Sequence, residues 1–216
     1  MMFEKISNTE FCSFAHKGLR KFCCAKPPQT PGLHERMDML MDLVKLCLDL
    51  GAHHAAQTET ERLSFSETFL TLCEQNVCGR YGKNYTCPPH VGEISELIRR
   101  IKARKTAVMW QTIHMLEDSY DFEGMTHGKQ LHNKITLEIA EQGRGFLGPD
   151  LLVLGAGGCF LCERCAVQTQ EPCRFPQRAI SSLEAYGMNV SKVEEATGLK
   201  YINGANTVTY FSGMFF

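Results

Sequence analysis

The chain has 216 residues, of which 44% are hydrophobic and 22% are charged, and its formal net charge is −1. This length and composition exclude a disordered or fibrous chain and predict a globular protein with its own core. A net charge so close to zero offers no global attraction for nucleic acid or an anionic membrane, so neither is expected as a partner.

The cysteines are numerous and clustered. There are eleven of them, an odd number that cannot pair completely within one chain. The opening "MMFEKISNTE" lacks the regions of a secretory signal, and no apolar run approaches the ~20 residues needed to span a bilayer. We therefore expect a cytoplasmic protein, and in that reducing compartment clustered thiols indicate metal binding rather than disulfides.

Several segments carry helical patterns. Residues 1–33 end in a Pro/Gly-rich turn and are interpreted as an N-terminal extension, which leaves residues 34–216 as a single metal-binding domain. Apolar residues at helical spacing predict three helices, over residues 35–50, 93–104 and 127–143. A further helix is predicted for "QRAISSLEAYG", with Pro176 in its first turn and Gly187 closing it. Ser191 and Glu194 offer a capping box for one more helical piece.

Short β-branched and apolar runs predict strands. They are residues 106–113 ("TAVMWQTI"), residues 150–154 ("DLLVL") and the terminal "NTVTYFSGMFF". The alternation of strands with helices predicts an α/β fold, a small sheet flanked by helices with cysteine-rich cluster-binding loops at strand ends. The terminal strand is expected in the core, and the alternative is an edge strand that pairs across a homodimer.

The densest cysteine group follows the second of these strands. Cys159, Cys162 and Cys165 form CxxCxxC, and Cys173 comes after seven further residues. Two-residue gaps let one loop supply three corners of a [4Fe–4S] cluster, which favours iron–sulfur. A structural zinc site usually takes two separated CxxC pairs, so the third cysteine in register is surplus to zinc, which remains the alternative metal.

A second group lies earlier in the chain. Cys73, Cys78 and Cys87 have gaps of four and eight residues, and the last of them opens "CPP". Seven cysteines do not complete two four-cysteine clusters, so either one iron of the first cluster is open or an eighth ligand is supplied. The candidates for that ligand are Cys12, Cys23, Cys24, Cys47 and His90. Cys47, on a predicted helix, is more simply a buried core thiol.

Glycines and cations accompany the cysteines. Gly157 and Gly158 would let the backbone approach a cluster and direct N–H groups at its sulfur atoms, although a plain strand-end turn is the alternative. Lys83 and Arg174, with Arg80, lie within the cysteine loops. They would offset cluster charge and lower thiol pKa values, although solvated loop charges would show the same pattern.

At this level of detail the chain resembles a known family. "CxxxxCGxYGKxxxCPPxxGxxxE", followed by "CxxCxxC…PCRxPxxAxxSxEAYGxxV" and "NTVTYF", is similar to the DUF2284 family of predicted metal-binding proteins from anaerobic bacteria and archaea. The resemblance runs from about Leu40 to the C-terminus and leaves out residues 1–33. It implies a cysteine-rich iron–sulfur protein with no established biochemical role, and it implies that the seven clustered cysteines are metal ligands. It assigns no catalytic residue.

Four functions are compatible with these patterns. The leading hypothesis is a protein with one or two [4Fe–4S] clusters that passes electrons to a partner redox enzyme. The second is an enzyme whose first cluster binds a small molecule at an open iron. The third is a zinc-stabilised binding module. A thiol-exchange protein using Cys23 and Cys24 has no CxxC of its own and is the weakest.

Overall fold

The computed structural model describes residues 42–216. Its strands are β1 His54–Glu59, β2 Thr106–Met115, β3 Leu152–Gly155, β4 Ser181–Ser182 and β5 Thr207–Phe215. Its helices are α1 (residues 42–49), α2 Thr68–Glu74, α3 Ile94–Lys102, α4 Phe122–Leu147 and α5 Val193–Thr197. Short 3-10 turns at Thr60–Arg62, Ala166–Thr169, Glu184–Tyr186 and Val190–Lys192 connect them. The predicted extension, residues 1–33, lies outside the described residues.

The five strands form one mixed sheet in the order β1-β2-β5-β3-β4. Neighbours are antiparallel except for β3 and β4, which run parallel. The terminal strand β5 is therefore interior, between β2 and β3, as a core strand was predicted to be. Strand β2 pairs along the whole of β5, whereas β3 pairs only with its last residues, 213–215.

Helices cover both faces of the sheet, which confirms the predicted α/β class. Along β2, Ala107 and Met109 are buried against one apolar cluster, while Val108 and Trp110 are buried against the other. The first cluster includes side chains from α3 and α5, and the second includes side chains from α1 and α4. Strand alternation with period two thus divides the core into two halves.

The predicted helices agree with the structure in three places. Residues 42–49 are helical within the first predicted segment, and α3 buries Ile94, Leu97 and Ile101 as its pattern indicated. Helix α4 is longer than the predicted 127–143. It begins earlier because the Asp121 carboxylate accepts a hydrogen bond from the Gly124 N–H at 2.7 Å, and it ends at Gly148, where φ is +87°.

The helix predicted for "QRAISSLEAYG" is wrong. Ser181 and Ser182 instead pair with Leu154 and Gly155 as a short parallel strand, and a 3-10 turn follows. Ile180 is buried on the α4 side of the sheet and Leu183 on the α3 side, a two-sided burial that favours a strand. Only the predicted C-terminal end of this segment is correct, because the 3-10 turn ends at Gly187, whose φ of +72° lies in the left-handed region.

The predicted capping box is also wrong. The Ser191 hydroxyl donates to the Asn189 side-chain oxygen at 2.7 Å, while the Glu194 carboxylate accepts from the Tyr201 N–H at 3.0 Å. Helix α5 begins after Lys192 with no side-chain cap. Both predicted side chains are engaged in neighbouring turns rather than with each other.

Candidate metal centre

The first cysteine group begins in a helix and not at a strand end. Cys73 lies in the last turn of α2, and Cys78 and Cys87 lie in the turns between α2 and α3. Cys78 is exposed, whereas the other two are half-buried. The buried Asn84 shapes this segment, because its side-chain oxygen accepts from the backbone N–H and the hydroxyl of Thr86, both at 3.0 Å.

The second group follows β3, as predicted. Its four cysteines are half-buried and line a single cavity. The members of this set are Cys159, Cys162, Cys165 and Cys173. Gly157 enters the loop with φ +74°, a conformation that favours glycine. Four thiols from fifteen consecutive residues are thereby brought to one cavity, next to the 3-10 turn that starts at Ala166.

The two groups adjoin. Asn84 donates from its amide nitrogen to the Cys159 carbonyl at 2.8 Å, and the Cys159 N–H donates to the Thr86 hydroxyl at 2.9 Å. A Cβ atom on Gly158 would lie 2.7 Å from the Cys87 sulfur. Glycine is therefore the residue that allows the second loop to pass this closely over a thiol of the first group. A cradle of this kind fits a group that both loops contact.

Asn84 and Thr86 were not identified from the sequence. Both are buried, and they connect the two cysteine segments across more than seventy residues of chain. Tyr85 adds a third link, since its hydroxyl donates to the Glu171 carbonyl at 2.7 Å. The available signal was the run "KNYTC", where polar residues that favour turns stand directly before a ligand-type cysteine.

Burial raises the pKa values of two thiols in the first group, Cys73 and Cys87. The pKa of Cys87 is raised to about 11, first by burial and then by the nearby Cys78, while Arg80 lowers it. Burial also raises the pKa of Cys73, with further contributions from Cys78 and Glu184. These thiols are protonated at neutral pH in the metal-free chain. Metal binding would therefore displace protons.

Glu184 is a second residue that the sequence did not single out. It is half-buried in the 3-10 turn Glu184–Tyr186, which packs against α2, and burial raises the pKa of its carboxyl. The same turn is fixed to the chain entering α2, because the Ser66 N–H donates to the Gly187 carbonyl at 2.7 Å. A carboxyl group thus lies near Cys73.

Of the three cations named from the sequence, two bind loop atoms and one does not. Arg174 donates to the Arg164 carbonyl at 3.2 Å and to the Glu171 carboxylate at 3.0 Å, and a hydrogen bond with Cys162 raises its pKa. Arg80 donates to the Cys159 carbonyl at 3.4 Å. The exposed Lys83 ammonium has no hydrogen-bond or ion-pair partner among residues 42–216.

The candidates for an eighth ligand lie in different parts of the chain. Cys47 is 0% exposed in the core between α1 and the sheet, packed with residues such as Val108 and Trp110, and burial raises its pKa to about 12. It is the core thiol that its helix position predicted. His90 lies within the first segment, where its Nε2 is 3.3 Å from the Gly82 carbonyl. Cys12, Cys23 and Cys24 lie outside the described residues.

The donor set is entirely thiol in its two groups and suits a thiophilic metal or cluster. Across residues 42–216, no three His, Cys, Asp or Glu side chains are arranged to hold one metal ion. The ligands of a [4Fe–4S] cluster bind separate iron atoms and so need not converge on one point. No helix in the described part of the chain has the length and apolar character of a membrane-spanning segment.

An α/β protein that brings seven cysteines into two adjoining groups falls in the class of cysteine-rich metal-binding proteins. Comparison with known families agrees with this class. Residues 56–216 match the family described as predicted metal-binding protein (DUF2284), and the chain belongs to that family. All seven clustered cysteines lie within the matched range, whereas Cys47 lies before it. No curated protein and no solved structure matches the chain.

Proposed function

We propose that the chain binds one or two [4Fe–4S] clusters and transfers electrons to a partner redox enzyme. The observation that supports this most is that the four cysteines of one CxxCxxC…C run line one cavity. The proposed ligands are Cys73, Cys78, Cys87, Cys159, Cys162, Cys165 and Cys173. When bound, such a cluster would exchange single electrons with a partner.

The neighbouring residues have separate roles in this proposal. Gly157 allows the turn into the second loop and Gly158 lets that loop pass close to Cys87, and the backbone N–H groups of both would face cluster sulfur atoms. Arg174 orients the second loop through Arg164 and places positive charge beside Cys162. Lys83 would offset the negative charge of the thiolates through space.

The setting follows from the same chemistry. Reduced thiols in this number require a reducing compartment, so we place the protein in the cytoplasm. A formal net charge of −1 gives no general affinity for nucleic acid or anionic lipid. The expected partner is therefore another protein.

Anaerobic purification with iron and sulfide analysis tests the proposal. We expect at least about four irons per chain for one cluster and about eight for two, with an EPR signal that appears or disappears on reduction. Less than about four irons per chain in anaerobically reconstituted protein would contradict it. Colourless, air-stable protein with stoichiometric zinc would instead support a zinc-stabilised binding module, the alternative metal.

An enzyme with an open iron is the second candidate function. It is favoured because Cys47 is committed to the core and the first group has only three cysteines among residues 42–216. Cys78 also lines a cavity of about 280 Å³. Adding cyanide, a small iron ligand, to the reduced protein should then change the EPR signal of one cluster, whereas a fully cysteine-ligated pair would give unchanged spectra.

A further inference from the structure

An open groove runs along the second cysteine loop. It consists of two adjoining cavities of about 390 and 280 Å³ that share Cys162, Glu163 and Cys165. The smaller extends to the first cysteine group. The larger extends to Phe175. We call the two cavities together the basic groove. Its defining side chains are Cys78, Arg80, Lys83, Cys162, Arg164 and Arg174.

Charge in the groove is strongly one-sided. Four cations and one carboxylate, Glu163, line it, although the whole chain has a net charge of −1, and one of these cations, Arg174, is paired with the Glu171 carboxylate at 3.0 Å. The positive charge is therefore concentrated at the place where cysteines of both groups reach the surface. A local field of this kind attracts negatively charged partners and is screened by salt.

Only part of this charge is needed to hold the loops. Arg80 and Arg174 donate to backbone carbonyls of the second group, at 3.4 and 3.2 Å. Lys83 and Arg164 are exposed, and neither side chain has a hydrogen-bond or ion-pair partner in the part of the chain that the structure describes. These two cations are available to a molecule that binds in the groove.

Apolar side chains stand at both ends of the cysteine region. Val77, beside Cys78, is 90% exposed, and Phe175, which lines the larger cavity, is 41% exposed. Exposed apolar side chains beside a charged surface can add contacts in a protein interface whose charge sets the association rate. A small anion would leave these side chains unused.

We propose that the basic groove is the docking surface for an acidic one-electron carrier protein. This inference rests on the proposed electron-transfer function and adds the charge and place of the partner. Residues 1–41 of this chain are a poor occupant, because they carry six lysine or arginine residues against four carboxylates. Their excess of positive charge does not complement the groove.

The proposed reaction is the transfer of one electron between two metal centres. One electron leaves a reduced cluster of this protein and enters the oxidised metal centre of the carrier, and no bond or proton is exchanged. Because the groove contains cysteines of both groups, a carrier seated there would be close to either cluster. The carrier's acidic side chains would face Lys83 and Arg164.

Stopped-flow mixing with two oxidised acceptors tests the docking surface. The full chain, purified anaerobically and reduced with dithionite, is mixed with an acidic blue-copper protein or with a basic c-type cytochrome. We expect the acidic acceptor to react at least about tenfold faster at about 10 mM ionic strength, and we expect its rate to fall as ionic strength rises to about 300 mM.

Substitutions at two adjacent exposed positions should act in opposite directions. Arg164→Glu should slow the acidic acceptor about fivefold to tenfold at low ionic strength, and Glu163→Lys should accelerate it by a similar factor. Lys200→Glu is the matched control. It makes the same change in net charge as Arg164→Glu, at an exposed position beyond α5 near the opposite edge of the sheet, and should leave the rate within about twofold.

The outcomes separate the docking surface from the electron-transfer function. Iron content and EPR spectra are recorded for every variant, and wild-type protein without a reducible cluster would overturn both proposals together. Intact clusters with equal rates for the two acceptors, or equal effects of Arg164→Glu and Lys200→Glu, would overturn the docking surface alone. Inhibition by citrate beyond that of sodium chloride at equal ionic strength would also overturn it, because a small anion would then be the occupant.

Discussion

At the scale of single residues, the cysteines fall into two environments that sequence spacing alone separates only partly. Cys47 is 0% exposed and packed among apolar side chains. Cys87 is half-buried, with its sulfur directly beneath Gly158. Burial raises the pKa of both thiols, to about 12 and about 11, so thiol acidity does not distinguish a core cysteine from a proposed ligand. The residues that surround each thiol do distinguish them.

Serine substitution should distinguish the two roles. Cys47→Ser places a polar hydroxyl in an apolar core, and we expect it to lower the free energy of unfolding by about 1–3 kcal/mol while iron content stays at the wild-type value. Cys87→Ser should reduce iron per chain with a smaller effect on the fold. Urea unfolding and iron analysis on the same preparations measure both. A loss of iron in Cys47→Ser equal to that in Cys87→Ser would show that Cys47 is a ligand.

At the scale of elements, the contact between α4 and β2 depends on a glycine. A Cβ atom on Gly128 would lie 2.8 Å from the ring carbon Cγ of His114 on β2. Gly145, later in the same helix, has open space at the corresponding position. The helix thus contains one glycine that permits close packing and one that costs helix propensity without a packing role.

Alanine at these two positions should have opposite effects on stability. Gly145→Ala should raise the free energy of unfolding by about 0.5–1 kcal/mol, because alanine is the better helix former. Gly128→Ala gains the same propensity but forces His114 to move, and overpacking of this kind costs about 1–3 kcal/mol, so we expect a net loss. Urea unfolding of the two variants measures the difference. Equal stabilisation by both variants would mean that the His114 side chain can move away from a Cβ atom at position 128 without a cost in stability.

The elements also show what the sequence could predict. Helices α3 and α4 and strands β2 and β5 follow from local apolar periodicity, because each buries a face that its own residues define. The segment at Ser181 could not be predicted in this way. Its "SSLEAYG" pattern suits a helix, but hydrogen bonds to β3, far away in sequence, make it a strand. Non-local pairing overrides local propensity there.

The candidate site, too, could be predicted from the sequence only in part. Cysteine spacing places the seven thiols in two groups, and the family match contains them all. That the groups adjoin depends on Asn84, Thr86 and Gly158, whose contacts form only when the two segments meet. No spacing rule within one segment contains this information.

At the scale of the whole molecule, a buried polar network ties the two central strands to the long helix. The His132 ring is 0% exposed, with Nδ1 2.9 Å from the Thr112 hydroxyl of β2 and Nε2 2.7 Å from the Ser212 hydroxyl of β5. The Thr136 hydroxyl lies 2.9 Å from that of Ser212. A neutral imidazole donates at one nitrogen and accepts at the other, and both hydroxyls can serve either role, so the uncharged ring is fully hydrogen-bonded while burial disfavours the charged one.

Acid should therefore destabilise the fold through His132. Burial lowers its pKa from 6.5 to about 3, so between these values the unfolded chain binds a proton that the folded chain does not. The contribution to stability is complete above pH 6.5 and is lost as the pH falls towards 3, with a slope of about 1.4 kcal/mol per pH unit.

The variant His132→Gln tests this linkage through a slope and not through an absolute stability. Its amide can still donate and accept but does not titrate, so its free energy of unfolding should change less steeply between about pH 4 and 6, by about one proton, although it begins lower. Urea unfolding of both proteins across that range gives the difference. Thiol protonation and other groups shared by the two proteins cancel in it. Identical slopes would mean that His132 takes up its proton within the folded state, and the network would then have to be able to hold a charged ring.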